Sequence, residues 1–391
     1  MTVEASVPVR PVTCSPGYHW FGYYDKLQFD PTGRYLLGME ADFEHRSPRP
    51  EDVIRVGMVD LEDGNRWTAL GESRAWCWQQ GCMLQWRPGS DSEILWNDRE
   101  QDRFVCRILD TRSGARRTVP APVYTVSPDG RTAFCPDFRR INDLRPGYGY
   151  CGIPDPNRGV RVPDDSGIWR VDLDTGEVRL IVTIEQVVRI GNPHWDMSEG
   201  THYFNHLLVN PDGRRVEFLH RWCDHVPGFR TRMFTADPDG GDLRIVDDSG
   251  ATSHFIWRDP ASILAWSNPG PTGGGFYLFR DGGGVAELIG REVMTQDGHC
   301  SYLPGNEWIL NDSYPDAARV QRVYIYHVPT GRRVDLAGLY LPPEYEDEWR
   351  CDLHPRFSPD GARVVVDSAH GGQGRQMHVL EIGDTVRREA T

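Results

Sequence analysis

Short apolar stretches recur along the chain, each cut off by a polar turn before it could complete a helix of amphipathic length. The clearest are His206-Leu-Leu-Val-Asn-Pro-Asp-Gly213 and His354-Pro-Arg-Phe-Ser-Pro-Asp-Gly361, an extended run with an apolar fourth residue that ends in a tight turn. Five further segments fit this frame: Lys26 to Gly33, Met83 to Gly89, Val123 to Gly130, His254 to Pro260 and His299 to Gly305. Apolar runs of strand type follow, such as Glu93-Ile-Leu-Trp96, Val216-Glu-Phe-Leu219 and Val364-Val-Val-Asp367. A later run then closes on a second glycine turn, as in Arg170-Val-Asp-Leu-Asp-Thr-Gly176. Strand, turn, strand, loop, strand, turn, strand is the pattern of one propeller blade. Only Thr183 to Val188 suggests a short helical turn.

The frames start 57, 40, 83, 48, 45 and 55 residues apart, mostly near the ~40 to 50 of known blade repeats. The pattern predicts an all-β, seven-bladed β-propeller of four-stranded antiparallel blades, one domain over 1–391. Its blades start near 17, 76, 119, 194, 249, 291 and 344. The widest interval holds an insertion at about 139–165, rich in Pro, Gly and Arg, expected as a long loop over one face. Val7 to Val12 is expected to add an outer strand to the last blade.

In register, the first frame position reads Lys26, Met83, Val123, His206, His254, His299 and His354. Four consecutive blades carry histidine there, in a chain with only 13. Innermost strands line a propeller's channel, so these imidazoles converge on one axis, with Asp297 and Asp352 two residues ahead of the last two on the same strand face. Neutral imidazoles crowded at one level compete for few partners, and a cation resolves that conflict. Imidazole with carboxylate favours a divalent transition metal, Mn²⁺ or Zn²⁺ foremost, over Mg²⁺ or Ca²⁺. The expected metal ligands are His254, His299, Asp352 and His354. Cys300 and Cys351 alternate to the other strand face and read as core thiols, Cys300 being the better outside ligand candidate. The closing residues of the second strands, including Asn97, Asp98, His220, Arg221, Asn311, Asp312 and Asp367, share the mouth of the channel with the histidines. Arg230, Arg232, Arg350 and Arg356 add positive charge there.

Composition narrows the chemistry. With 57 acidic against 43 basic residues the net charge is −14, which opposes nonspecific binding of nucleic acid. Met1 to Pro16 lacks the charge and apolar pattern of a leader, and no run approaches the ~20 apolar residues of a membrane span. The nine cysteines are scattered without a CxxC pair, so neither a disulfide framework nor a zinc ribbon is indicated. A cytoplasmic protein with no nucleic-acid or membrane partner is expected. No GxxxxGK[ST], GxSxG or HExxH motif is present, which weakens nucleotide-dependent, serine-hydrolase and zincin readings. A local Arg, His and metal cluster in an acidic protein suits a small acidic ligand. It also has the parts for abstracting the C5 proton of a uronate: a base, a cation for the carboxylate, and a donor for the leaving oxygen.

Two stretches resemble known families. Arg350-Cys-Asp-Leu-His-Pro-Arg-Phe-Ser-Pro-Asp-Gly361, followed by Val366-Asp-Ser-Ala-His-Gly-Gly-Gln-Gly-Arg-Gln376, resembles the final blade of propeller-type polysaccharide lyases, notably oligogalacturonate lyase and more distantly ulvan lyase. Phe21-Gly-Tyr-Tyr-Asp-Lys26 is similar to the first blade of the ulvan-lyase-like group. The resemblance implies a metal, typically Mn²⁺, held over the channel by histidines and a glutamine, with a basic residue taking the proton from an acidic oligosaccharide. His299 and His354 match ligand positions, and His254 sits where a candidate base lies. The chain departs from the pattern at Asp352, where the family has a second histidine, and it has no clear counterpart of the glutamine. The ulvan-lyase group's His, Tyr and Arg map loosely onto His206, His220, Tyr277 and Arg230, and Arg350 or Arg230 is expected to bind the uronate carboxylate. A metal-dependent lyase acting by β-elimination is the leading expectation. A noncatalytic binding propeller and a propeller glycoside hydrolase or epimerase share the fold.

Overall fold

Most of the frames close on the same local chemistry. In four of them the residue three before the glycine accepts that glycine's backbone N–H, at 2.9 Å for Asp30 and Gly33, 2.8 Å for Ser127 and Gly130, 3.0 Å for Asn210 and Gly213, and 2.8 Å for Ser358 and Gly361. Its side-chain oxygen then caps the N–H that opens the next strand, as from Tyr35 to Asp30 at 2.7 Å and from Arg215 to Asn210 at 3.0 Å. These glycines sit at φ of 67–75°, a left-handed backbone that L side chains resist.

The computed structural model describes residues 2–224, 228–284 and 286–389. Its strands form seven antiparallel sheets arranged as propeller blades. From inside outward, blade one is Tyr18–Trp20, Tyr35–Ala41, Ile54–Asp60 and Arg66–Ser73. Blade two begins at Gln85–Trp86, blade three at Thr125–Val126, blade four at Thr201–Val209 and blade five at Phe255–Asp259. Blade six begins at Ser301–Tyr302 and blade seven at Arg356–Phe357. Val9–Pro11 is the outermost strand of blade seven, pairing antiparallel with Gln376–Glu381, so the two ends of the chain close the ring within one sheet. The apolar core lies in the wedges between neighbouring blades. One cluster joins Leu95 and Ile108 of blade two to Phe134 and Ile168 of blade three and Phe218 of blade four.

Three features differ from expectation. Blade six has five strands, because Thr2–Ala5 adds to its outer edge. Helices at Phe138–Leu144 and Gly383–Glu389 accompany the anticipated one, Ile184–Arg189, which Thr183 and Gln186 cap reciprocally. Lys26 is not on an innermost strand. The inner edge of blade one breaks after Trp20 and resumes only at a bridge between Phe29 and Leu36, so residues 21–28 loop inward. Of the other six frame positions, His206 lies within its strand, and Met83, Val123, His254, His299 and His354 lie one or two residues ahead of theirs.

Candidate metal and active site

Three frame positions, Met83, His206 and His354, have φ of 55°, 51° and 42°, a conformation costing about 1–2 kcal/mol for an L residue. Polar residues that close the second strands clasp the next blade, and at His354 such a clasp helps offset this cost. Asn97 of blade two donates to the Val123 carbonyl at 2.7 Å and accepts the Val123 N–H at 2.8 Å. Asp367 of blade seven accepts the N–H groups of Phe21 and Gly22 at 3.1–3.3 Å, which turns the blade-one loop into the channel. Asp312 of blade six accepts the His354 N–H at 3.1 Å.

Asp312 does more. It accepts the His299 backbone N–H at 2.7 Å, and both its oxygens lie 2.9 Å from His299 Nδ1. With Nδ1–H given to the carboxylate, His299 Nε2 carries a lone pair, and it is buried without a partner, as is His354 Nε2. The two rings stand 4.2 Å apart, centroid to centroid. Ligand atoms of His299, Asp352 and His354 all lie within 4.8 Å of one another. Burial lowers His299, but the carboxylates of Asp312, Asp352 and Asp297 together outweigh it, so its net shift is upward. Burial, then the neighbouring His299, drives His354 well below its ordinary value, which favours the neutral imidazole with one ring nitrogen free to ligate. Asp352 is opposed by burial and held below the usual carboxylate range by Arg350, whose Nε and Nη2 reach it at 2.6–2.9 Å. Orphaned nitrogens beside an anionic carboxylate fit a divalent transition metal, whose ligand preferences match this N₂O set.

Around this triad stand groups suited to proton transfer. His254 is 4.2 Å from His299, centroid to centroid, and its Nδ1 is held by Asp297 at 2.9 Å, so Nε2 is its other working atom. Burial, partly offset by Asp297, lowers His254 and favours the neutral imidazole. Tyr23, carried in by the blade-one loop, stacks on His206 and places its hydroxyl 2.5 Å from His206 Nδ1. Tyr124 reaches the same nitrogen at 3.2 Å, and Gln80 bonds Tyr124 at 2.8 Å. Burial pushes the Tyr23 phenol well up and the His206 imidazole well down, so both are neutral. Lys26, buried in the channel, pairs with Asp25 at 2.7 Å.

The remaining side of the mouth is cationic. The insertion is pinned by buried Arg140, which reaches Asp155 at 3.1 Å and the Val160 carbonyl at 2.8 Å. Arg145 and Tyr148 follow in it. The guanidinium groups of Arg145 and Arg221 lie over the Phe229 ring at 4.2 and 4.4 Å, and Arg145 also lies 4.6 Å over Tyr148. Tyr148 in turn stands 5.9 Å from His206. Buried Arg140, Arg215 and Arg356 each face a carboxylate. By contrast, Arg145 Nε and the Nε and Nη1 of Arg221 have no partner among the described residues. Burial first, then Arg145, lowers Arg221, as expected of unneutralised cations placed side by side.

The structure thus brings together His206, His254, His299, Asp352, His354 and Arg350, and places His220, Arg230 and Tyr277 elsewhere. His220 is next to Arg221 on one strand, so the two face opposite ways. His220 bonds His202 at 2.8 Å and receives Arg232 at 3.2–3.3 Å, stacked between blades. Arg230 lies 3.8 Å over Trp195, and the Tyr277 hydroxyl bonds Thr272 and Gly273 at 2.6 and 2.7 Å on a third strand. Cys300 and Cys351 are fully buried, and burial raises both thiols. The frame did not single out Tyr23, Arg145, Tyr148 or the second role of Asp312. The signals available were the Phe21-Gly-Tyr-Tyr segment and the arginines and tyrosines of the insertion.

No family model and no curated protein matches the chain. Among solved structures, it is similar to an oligogalacturonate lyase from Vibrio parahaemolyticus, with a TM-score of 0.69 and 15% identity, covering 98% of this chain and 96% of that one. An oligogalacturonate lyase in complex with manganese gives a TM-score of 0.69 and 17% identity over the same shares. The β-propeller domain of the Trilobed protease from Pyrococcus furiosus follows at 0.54 and 10%, covering 94% of each chain. The chain therefore shares its fold, over nearly its whole length, with propeller-type oligogalacturonate lyases.

Proposed function

We propose that this protein is a divalent-metal-dependent lyase that cleaves a uronate-containing oligosaccharide by β-elimination. One observation carries the reading. Two orphaned imidazole nitrogens and a carboxylate converge beside two carboxylate-free guanidinium groups in the same mouth. That a fold neighbour is an oligogalacturonate lyase in complex with manganese supports a metal-dependent reading.

His299, Asp352 and His354 would hold a divalent ion, which would supply Lewis acidity to a substrate carboxylate. Arg221 and Arg145 are placed to take a substrate carboxylate, their planar forks matching its oxygens. His254, oriented by Asp297, accepts the C5 proton at Nε2. The C4–O bond breaks, and the Tyr23 hydroxyl, backed by His206, returns a proton to the departing oxygen. The products are a 4,5-unsaturated uronate and a free hydroxyl, so protons balance.

The test follows absorbance of the new double bond on uronate disaccharides and longer oligomers with Mn²⁺ or Zn²⁺ added. Elimination predicts a rising signal, and His254→Ala should lower kcat by roughly 10² to 10⁴ while metal binding persists. Saturated, water-added products would replace elimination with hydrolysis. Failure to bind any uronate would leave the noncatalytic binding reading.

A further inference from the structure

We propose that Asp312 is a positioning residue that sets the metal affinity of the site, one carboxylate holding both histidine ligands at once. The inference rests on the metal reading above and concerns a residue outside the ligand set.

Asp312 closes the second strand of blade six, Trp308–Asp312, and its side chain is about 2% exposed. Four contacts of 2.7–3.1 Å converge on its two oxygens, from the His299 N–H, the His299 Nδ1–H and the His354 N–H. They do three separate things. The bond to Nδ1 selects the His299 tautomer whose Nε2 is free to ligate, and it raises the ligand's basicity. The bond to the His354 N–H steadies a backbone at φ of 42°, a conformation that costs an L residue about 1–2 kcal/mol. Because the two bonds come from one rigid carboxylate, the ligands from blades six and seven hold a fixed separation before any ion arrives.

The fold supplies its own control. Asn97 stands at the equivalent closing position in blade two and clasps Val123 through N–H and C=O alone, with no imidazole involved. An amide therefore suffices to clasp the neighbouring blade; where the closing residue is a carboxylate it also meets a cationic or N–H side chain, Arg356 for Asp367 at 2.8 Å and the His299 imidazole for Asp312. Asp312→Asn accordingly separates the two roles. Its amide oxygen still accepts from His354, while the charge-assisted bond to His299 is lost.

The experiment is calorimetric titration of the metal-free full-length chain with Mn²⁺ and with Zn²⁺, paired with thermal melting in the absence of metal. For Asp312→Asn the expected result is an affinity about 10- to 100-fold weaker, with a metal-free melting temperature close to that of the unsubstituted protein. Equal affinity in both proteins overturns the role of Asp312 and leaves the metal site standing. Failure of the unsubstituted protein to bind either ion overturns both. Should the variant not fold, histidine ¹⁵N spectra of the metal-free unsubstituted chain decide the matter. His299 protonated at Nδ1 alone near pH 8 supports the proposal, and protonation at Nε2, alone or together with Nδ1, refutes it.

Discussion

Two of the stacked or abutting histidine pairs buried within this propeller are opposites. His202 and His220 in blade four are both fully buried, their ring centroids 5.0 Å apart. Arg232 donates to His220 Nδ1, His220 Nε2 meets His202 Nδ1, and His202 Nε2 meets the Met197 carbonyl. Every ring nitrogen has a partner, and the chain of donors ends on protein. His299 and His354 are almost as buried, with centroids 4.2 Å apart, yet each leaves Nε2 unpartnered and turned toward a shared carboxylate. Burial and residue type do not separate a ligand from a structural histidine here. What separates them is whether the protein completes the hydrogen bonding itself or leaves it open to a ligand.

The largest expected effect breaks the comparison if it fails. His354→Ala, and separately His299→Ala, should abolish metal binding in calorimetry and reduce the elimination rate to background. His220→Ala should leave the rate per folded molecule unchanged. Its cost belongs to stability, about 1–3 kcal/mol for stranding a buried partner, read by urea denaturation. An inactive but folded His220→Ala protein would mean that both pairs are functional and that partner accounting is a poor guide.

The contrast also explains what was legible in the sequence. The frame and its histidine register could be read because turn chemistry is local: Asn210 or Ser358 caps a strand only a few residues away. That His220 points away from the mouth and Arg221 toward it depends on a one-residue alternation, and the end of the strand alone does not reveal which residue faces the channel. Tyr23 enters the channel because Asp367, far along the chain, grips the backbone two residues before it. Arg145 and Tyr148 belong to an insertion that follows no frame, so no register could place them. The register that aligns His206, His254, His299 and His354, with Asp352 two residues ahead of the last, was readable from repetition, whereas its surroundings depend on long-range contacts.

A second, smaller effect sharpens the comparison through acid stability. Burial lowers His202 to about 4, from an ordinary value of 6.5, and His220 is also well lowered. The fold therefore favours the neutral imidazole, while the unfolded chain takes up a proton near pH 6.5. That contribution is fully present above about pH 6.5 and is lost as pH falls toward 4, to the extent of roughly 3 kcal/mol for His202. Urea denaturation at stepped pH should show a decline over this window, shallower by about one proton in His202→Gln. An unchanged slope would show that the stack is not held neutral by the fold.

The smallest expected effects concern two side chains that resemblance nominated and geometry removed. The Tyr277 hydroxyl gives its proton to the Gly273 carbonyl and meets Thr272, while its ring packs among Phe255, Ile263 and Phe279 between blades four and five. Tyr277→Phe keeps the ring and loses only the ties to a turn, so a loss of about 1 kcal/mol in stability is expected. Arg230 lies over Trp195 and reaches Asp224 at 3.4 Å on the edge of blade four, so Arg230→Ala loses a cation–π contact and an exposed ion pair, together about 1 kcal/mol. In neither variant should kcat or KM on uronate oligomers move by more than about twofold, because neither side chain touches the mouth in which His254, Tyr23 and Arg221 meet. The expectation is deliberately narrow. A tenfold fall in kcat for either variant, with melting temperature and metal affinity intact, would place a third-strand residue in the reacting groups and redraw the boundary between satisfied and open clusters.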